Sequence, residues 1–577
     1  MEELLGCGAA AGCARGIAKR LSPQKTTVER RSVENAEAEA ERLEAVREEY
    51  LQSLQELMKQ EGQAEDAVAI LDAYQEILQD ETFFAAVRQR TIAEHVNIDY
   101  AIREEEQAVA AQFALLDDEY LMERANDIAN VCNQLICRLQ GTGDNLIETD
   151  GDGRKCIIFA EDLTPDQTLR MDRSTLGGFV TEKGGLTSHT VILAKTLGIP
   201  AVVGVSNALS AVKDGQDVIV YGDSGKVVLS PDAAACAAFA QEESAQQALQ
   251  DAYQVAAAKP AVTPDGVRVK VCVNIGDWRN GSDLDALETC DGVGLYRTEF
   301  LYMRDDGYPS EEEQFQFYRA VAERAGQNEV IIRTLDIGGD KQASYMDMPQ
   351  ESNPFLGYRA IRLCLDRTDV FRTQLRAILR ASAYGNVAIM FPMIASVEEL
   401  RQAKEVLAQA RGELDREGIP YRPDLQVGIM VETPAAVQIS DLLARESDFF
   451  SIGTNDLIQY TMAADRMNDR VQYLYNVCSP AVLRSVDAIC RGAAASGIPV
   501  NMCGEAASDP MVIPMWIAMG LSELSVVPSQ VARTKYMVNH LSAEEVRKWL
   551  PGVLSCATVE QVQQRLREIQ TEFGLAL

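Results

Sequence analysis

Along residues 28–139 the apolar positions recur three and four apart, as in Leu51, Leu54, Leu57 and Met58, with Glu, Ala and Gln between them. That spacing is the stripe of a helix packed on one side, and its repetition predicts a helical bundle. No proline falls between Pro23 and Pro165, so long uninterrupted helices are open to this stretch. The pattern then changes to short apolar runs bounded by turn residues. Runs at 156–159, 178–181, 201–205 and 217–221 read as buried strands around one helix, a compact α/β unit. Residues 231–258 return to Ala, Gln and Glu, which predicts a helical linker. From 267 onward apolar runs alternate with helical periodicity, with strands at 267–274, 292–296, 330–335, 387–393, 426–431, 449–452, 499–502 and 524–527. Eight such units predict a (β/α)8 barrel whose chemistry sits at the carboxyl ends of the strands.

Composition narrows the class. The 577 residues suit several domains, and 47% of them are apolar, ample for more than one core. The 54 Lys and Arg against 87 Asp and Glu leave a formal charge of -33, which argues against nucleic-acid or anionic-membrane partners and is open to two readings, a basic docking partner or solubility alone. Thirteen cysteines without a Cys-x-x-Cys pair, and only three histidines, argue against a disulfide or zinc framework. The chain opens Met1-Glu2-Glu3, without a charged leader before an apolar core, and no apolar run reaches the roughly 18 residues of a membrane span. A cytoplasmic location is expected.

Two places carry candidate chemistry. In Gly184-Gly185-Leu186-Thr187-Ser188-His189-Thr190, either Thr187 or Ser188 can cap a helix that Gly198 and Pro200 end. His189 then lies in the first turn, where unpaired N–H groups and the helix dipole favour a phosphoryl group carried on the imidazole. A surface or capping histidine is the alternative. At the barrel strand ends stand Arg297, Arg333, Glu432, Asn455, Asp456 and Cys503, with Arg466 close behind. Glu432 and Asp456 suit Mg²⁺, which takes about six oxygens and shares them with phosphate and water. Arg297, Arg333 and Arg466 suit a phosphate and a carboxylate, so a phosphorylated carboxylate is the natural ligand. Taken singly, each charged residue is better explained by a surface ion pair, and Cys503 by inert packing.

Several long motifs in one order carry a family resemblance. Residues 184–204, Asp291-Gly292-Val293-Gly294-Leu295-Tyr296-Arg297-Thr298-Glu299-Phe300, Asn353-Pro354-Phe355-Leu356-Gly357-Tyr358-Arg359, the 448–457 stretch with Gly453-Thr454-Asn455-Asp456, and Cys503-Gly504-Glu505 together resemble enzyme I of the bacterial sugar phosphotransferase system, the phosphoenolpyruvate-protein phosphotransferases. The resemblance covers nearly the whole chain. It implies a multidomain α/β protein: a phosphohistidine swivelling domain over 1–27 and 140–230, an inserted helical domain over 28–139 that binds the carrier protein HPr, a helical linker over 231–260, and a phosphoenolpyruvate-binding (β/α)8 barrel over 261–577 that forms a homodimer.

The same resemblance implies roles. His189 takes the phosphoryl group from phosphoenolpyruvate through Nε2 and passes it to a histidine of HPr, the first step of sugar uptake. Arg297, Arg333, Arg359, Asn455, Asp456 and Arg466 bind phosphoenolpyruvate, Glu432 and Asp456 hold Mg²⁺, and Cys503 protonates the enolate carbon as pyruvate forms. The two domains must meet and part in each cycle, with the hinge expected near 231–258 and beside the bundle. Acidic runs Glu104-Glu105-Glu106 and Asp117-Asp118-Glu119 could steer a basic partner. Two features depart from the family: Ala10-Ala11-Gly12 replaces a Ser-Pro-Gly turn, and Leu186 stands where arginine is common. Pyruvate phosphate dikinase and phosphoenolpyruvate synthase share these motifs but need a nucleotide-binding domain, and no glycine-rich phosphate loop precedes the His189 unit. A non-catalytic phosphoenolpyruvate sensor would have no need of a proton donor.

Overall fold

The structure, a computed structural model, describes residues 2–21, 28–58, 65–114, 119–141, 154–163, 175–184, 191, 194–195, 198–277, 284–303, 307–339, 343–346, 348–468 and 470–575. The chain divides into two compact units, Met1–Ala248 and Leu249–Leu577.

The first unit opens with strands β1 (Glu2–Leu5), β2 (Cys7–Ala10) and β3 (Cys13–Leu21). Helices α1 (Ala36–Met58), α2 (Glu65–Gln79), α3 (Glu81–Glu94), α4 (Ile98–Ala114) and α5 (Glu119–Leu139) follow. They bury Leu43, Tyr50, Leu54, Tyr74, Phe84, Ile102 and Leu135 in one cluster, against which Leu51 and Met58 pack from its edge. The Asp80 side chain caps α3 by accepting from the N–H groups of Thr82 and Phe83. The predicted bundle is thus inserted between β3 and β4 (Cys156–Ala160).

With β5 (Leu176–Thr181), β6 (Ala201–Val203), β7 (Asp217–Tyr221) and β8 (Lys226–Leu229), these strands make an eight-stranded sheet ordered β1-β8-β7-β3-β4-β5-β6-β2. Its centre, β3-β4-β5-β6, is parallel, and antiparallel pairs flank it. The first three strands and β8 carry no clean alternation and were not legible in the sequence. The unusual Ala10-Ala11-Gly12 segment ends β2 and turns into β3. Gly12 adopts φ +112°, where a side chain would be strained, and its N–H donates to Asp223 Oδ2 at 2.8 Å. The Ala- and Gln-rich stretch after β8 forms a helix, Ala233–Ala257.

In the second unit β9 (Lys270–Ile275), β10 (Gly292–Tyr296), β11 (Glu329–Arg333), β12 (Asn386–Phe391), β13 (Val427–Val431), β14 (Phe450–Ile452), β15 (Val500–Met502) and β16 (Glu523–Val526) close into a parallel barrel. Each predicted strand is present within a few residues of its expected place. Outward-facing residues such as Val273, Val330, Ile389 and Ile429 join the large cluster shared with the surrounding helices. Inside, Leu295, Ile331, Ala388, Met390, Met430, Phe449 and Cys503 form a separate apolar cluster, mostly from β10 to β13. The facing wall, β14, β15, β16 and β9, instead carries Ser451, Asn501, Glu523, Ser525 and Asn274 at alternate positions. Among the described residues no helix is long and apolar enough to cross a membrane.

Candidate active site

The carboxyl ends of the barrel strands open on a cavity of about 260 Å³ lined by Arg297, Arg333, Arg359, Glu432, Asn455, Asp456, Arg466 and Cys503. The fold explains this convergence. Arg297 follows β10, Arg333 ends β11, Glu432 follows β13 and Cys503 follows β15. Asn455 and Asp456 open the helix Thr454–Met462 after β14, and Arg466 comes just beyond its end. Arg359 precedes the short helix Ile361–Asp366.

Asp336, which the sequence reading did not single out, organises the charges. Its Oδ2 pairs with Arg333 Nη1 at 2.9 Å and its Oδ1 with Arg359 Nη2 at 2.9 Å. Arg333 also pairs with Glu299, Arg359 reaches Asp456 at 3.2 Å, and Arg466 approaches the same carboxylate at 3.7 Å. Arg359 is 2% exposed and Arg333 6%, so these are buried pairs. Burial opposes both guanidinium charges, but Glu299 and Asp336 around Arg333, and Asp336 and Asp456 around Arg359, outweigh it and hold both above the usual arginine range. Arg359 Nη1 further donates to Tyr460 at 3.1 Å, whose hydroxyl meets the Phe355 carbonyl. Arg297 is exposed at the rim.

Glu432 lies deeper. It is 1% exposed and accepts from the Met393 N–H at 2.6 Å. Met393 holds φ +56°, an uncommon conformation for a side-chain-bearing residue, in making that contact. A Cβ on Gly453 would lie 2.5 Å from Glu432 Oε2, so only glycine leaves the carboxylate its place. Burial first, then the neighbouring Asp456 and Asp336, push the Glu432 carboxyl well above its ordinary range. Two buried carboxylates repelling one another in one cavity match the demand of a divalent cation, which would relieve both. Among the described residues no group of three or more His, Cys, Asp or Glu forms a complete metal cage. Mg²⁺ needs none, since substrate oxygens and water complete its shell.

Cys503 is 2% exposed, and burial pushes its thiol up to about 11 against the opposing pull of Ser451 and Arg333. It therefore carries its proton at neutral pH. A Cβ on Gly504 would fall 1.8 Å from Thr454 Oγ1, so the Cys503-Gly504 backbone is seated directly on the helix that presents Asp456. Asn455 is tied to Glu505: its Nδ2 donates to Oε1 at 2.9 Å.

His189, Leu186 and the capping candidates Thr187 and Ser188 lie outside the described residues. Downstream of them Gly198 takes φ +66°, its N–H donates to Lys195 O, and the Ile199 N–H donates to Ala194 O, closing a helical turn where the sequence places the helix end. Glu299, Asp336, Tyr460 and Glu505 were not assigned roles from sequence. Asp336 was within reach, since it is a polar residue just past a barrel strand, ahead of Gly338-Gly339; Tyr460 stands one helical turn beyond Asp456.

Comparison with known proteins agrees with this geometry. Residues 250–543, more than half of the chain, match the family described as PEP-utilising enzyme, PEP-binding domain. Residues 153–225 match the PEP-utilising enzyme mobile domain and 5–124 the PEP-utilising enzyme N-terminal domain. Barrel, cavity and matches together define a phosphoenolpyruvate-utilising enzyme. The phosphoenolpyruvate-protein phosphotransferase of Geobacillus stearothermophilus is 42% identical over 568 residues, 97% of each chain. That of Bacillus subtilis (strain 168) is 41% identical over 574 residues, 98% of this chain and 100% of its own. A solution structure of an Enzyme I protein is 32% identical, with a TM-score of 0.37, covering 42% of this chain and 99% of its own. The chain belongs to the phosphoenolpyruvate-protein phosphotransferase family.

Proposed function

We propose that the chain transfers the phosphoryl group of phosphoenolpyruvate to His189 and then to a histidine of HPr, releasing pyruvate, as the first step of sugar uptake. One observation carries the chemistry: four arginines, three buried carboxylates and a protonated buried thiol share one cavity at the barrel mouth. Arg297, Arg333, Arg359 and Arg466 bind the phosphate and carboxylate of the substrate, with Asn455 beside them, and hold it for in-line attack. Glu432 and Asp456 hold Mg²⁺, which when bound neutralises charge on the phosphoryl and enolate oxygens. The bond between phosphorus and the enol oxygen breaks as one to His189 Nε2 forms. Cys503 then gives its proton to the enolate carbon.

A neutral imidazole is the attacking form, so phosphoryl uptake falls below the histidine pKa. His189 belongs to the amino-terminal unit and the cavity to the carboxyl-terminal one, so each cycle requires them to meet and separate, with residues 231–260 as linker. The helical domain over 28–139 docks HPr, and the barrel domain dimerises. The protein acts in the cytoplasm without nucleic-acid or membrane partners. The test is to incubate the protein with Mg²⁺ and phosphate-labelled phosphoenolpyruvate, then add HPr. Label enters the wild type but not His189→Ala and moves on to HPr; an unlabelled wild type without ATP overturns the reading.

A further inference from the structure

The polar wall inside the barrel ends at the proton donor. The pairing of β15 with β16 runs as far as Met502 opposite Leu524, one residue short of Cys503. Just past that point the Cys503 carbonyl accepts from a side chain. Asn274, on β9 and thus two strands away, reaches past β16 and donates through Nδ2 to the Cys503 carbonyl at 3.1 Å. The amide is held from its other side, because Ser525 Oγ, fully buried on β16, donates to Asn274 Oδ1 at 2.8 Å. The Cys503 carbonyl can only accept, so it selects the NH₂ group, and the Ser525 hydroxyl satisfies and anchors the amide oxygen. Gly294 leaves room for this arrangement, since a Cβ there would come within 2.6 Å of Ser525 Oγ. On the opposite side the Cys503 N–H donates to Ile452 O at 3.1 Å.

We infer that Asn274, anchored by Ser525, is a positioning residue that fixes the Cys503 peptide so that the thiol delivers its proton to one face of the enolate. This rests on the reading of Cys503 as proton donor. A donor must lie within hydrogen-bond reach of the atom it protonates, and a displacement of about 1 Å can cost about 10²-fold in rate. With its carbonyl released, the Cys503 peptide can rotate about the backbone bonds that aim Sγ. Asn274 does not line the cavity and bears no charge, so its loss acts on the protonation step rather than on binding.

The test uses the full chain with Mg²⁺, HPr and phosphoenolpyruvate stereospecifically tritiated at its methylene carbon, in D₂O, with the chirality of the pyruvate methyl as readout. A fixed thiol gives one enantiomer, whereas an enolate protonated by solvent gives a racemate. Asn274→Ala and the uncharged, similarly sized Asn274→Leu, which both lack the donor, should lower kcat about tenfold to hundredfold, keep KM within about threefold and erode the chirality. Ser525→Ala, which removes the hydrogen bond that anchors the amide oxygen, should give a smaller loss of the same kind and add little on top of Asn274→Ala. If Cys503→Ala still yields chiral pyruvate, the assignment of the donor fails. If Cys503→Ala yields a racemate while Asn274→Ala and Ser525→Ala keep full chirality and rate, the donor stands and the positioning role is overturned. Should Asn274→Ala fail to fold, full chirality in Ser525→Ala is enough to overturn it.

Discussion

The buried carboxyl of Glu523 sets the sharpest stability prediction. Glu523 opens β16 at the end of the barrel opposite the cavity, 1% exposed, with Lys270 Nζ 4.0 Å from Oε2 and itself held by Glu329 at 3.2 Å. Burial, opposed only in part by the attraction of Lys270, raises the carboxyl from 4.5 to about 7. The sign follows from proton linkage. Between about pH 4.5 and pH 7 the folded protein keeps a proton that the unfolded chain has lost, so stability falls as pH rises through this window and is level above it. At about 1.36 kcal/mol per pKa unit, the burden of the charged form above pH 8 is about 3 kcal/mol, against less than about 1 kcal/mol at pH 5. Glu523→Gln removes the titration. Relative to wild type it should gain about 2.5 kcal/mol between pH 5 and pH 8.5. Urea unfolding followed by tryptophan fluorescence measures this in the intact chain, because all three tryptophans, at 278, 516 and 549, fall in the barrel unit. A difference between wild type and variant that does not change with pH would refute the reasoning.

Other outcomes follow from the cavity. Asp336→Asn halves the compensation of Arg333 and Arg359, and breaking such buried pairs costs about 3 to 5 kcal/mol; the barrel transition should move to lower urea and the KM for phosphoenolpyruvate should rise. Gly504→Ala drives a Cβ into Thr454, displacing Cys503 and Asp456 together, so turnover should fall at least about tenfold in a pyruvate-release assay. Because burial pushes the Cys503 thiol up to about 11, the pyruvate-release rate should show no alkaline fall from thiol ionisation below about pH 10, and one near pH 8.5 would contradict the burial argument. A covalent cross-link between the two units should abolish turnover, and preserved turnover would remove the need for swinging.

Much of the barrel was legible because each strand is a short run buried on both faces and each helix a periodic stripe, so eight alternations could be counted. The bundle was legible for the same reason. The outer strands of the first sheet were not. β1 and β2 are four residues long, without strand-like alternation, and held by partners more than 190 residues away, Leu229 and Val203 among them. No local pattern encodes such pairing. Within the cavity, residues on strand ends could be placed by topology alone. Asp336, just past β11, could have been placed in that way, but its role and that of Glu299 could not, because they are set by which arginines they face, and that depends on the closed barrel. Asn274 was hidden for a similar reason: its partner is 229 positions away in sequence.

Each guanidinium at the centre of the cavity already holds a carboxylate: Arg333 on Glu299 and Asp336, Arg359 on Asp336 and Asp456, Arg466 on Asp456. An incoming anion therefore exchanges partners rather than finding bare positive charge. A small monovalent anion would break one ion pair and replace it with another of similar worth. A molecule carrying phosphate and carboxylate together replaces several at once, and a cation arriving with it takes over the carboxylates set free. Discrimination against the common small anions is in this way a property of the resting ion pairs, before any shape of the ligand is read.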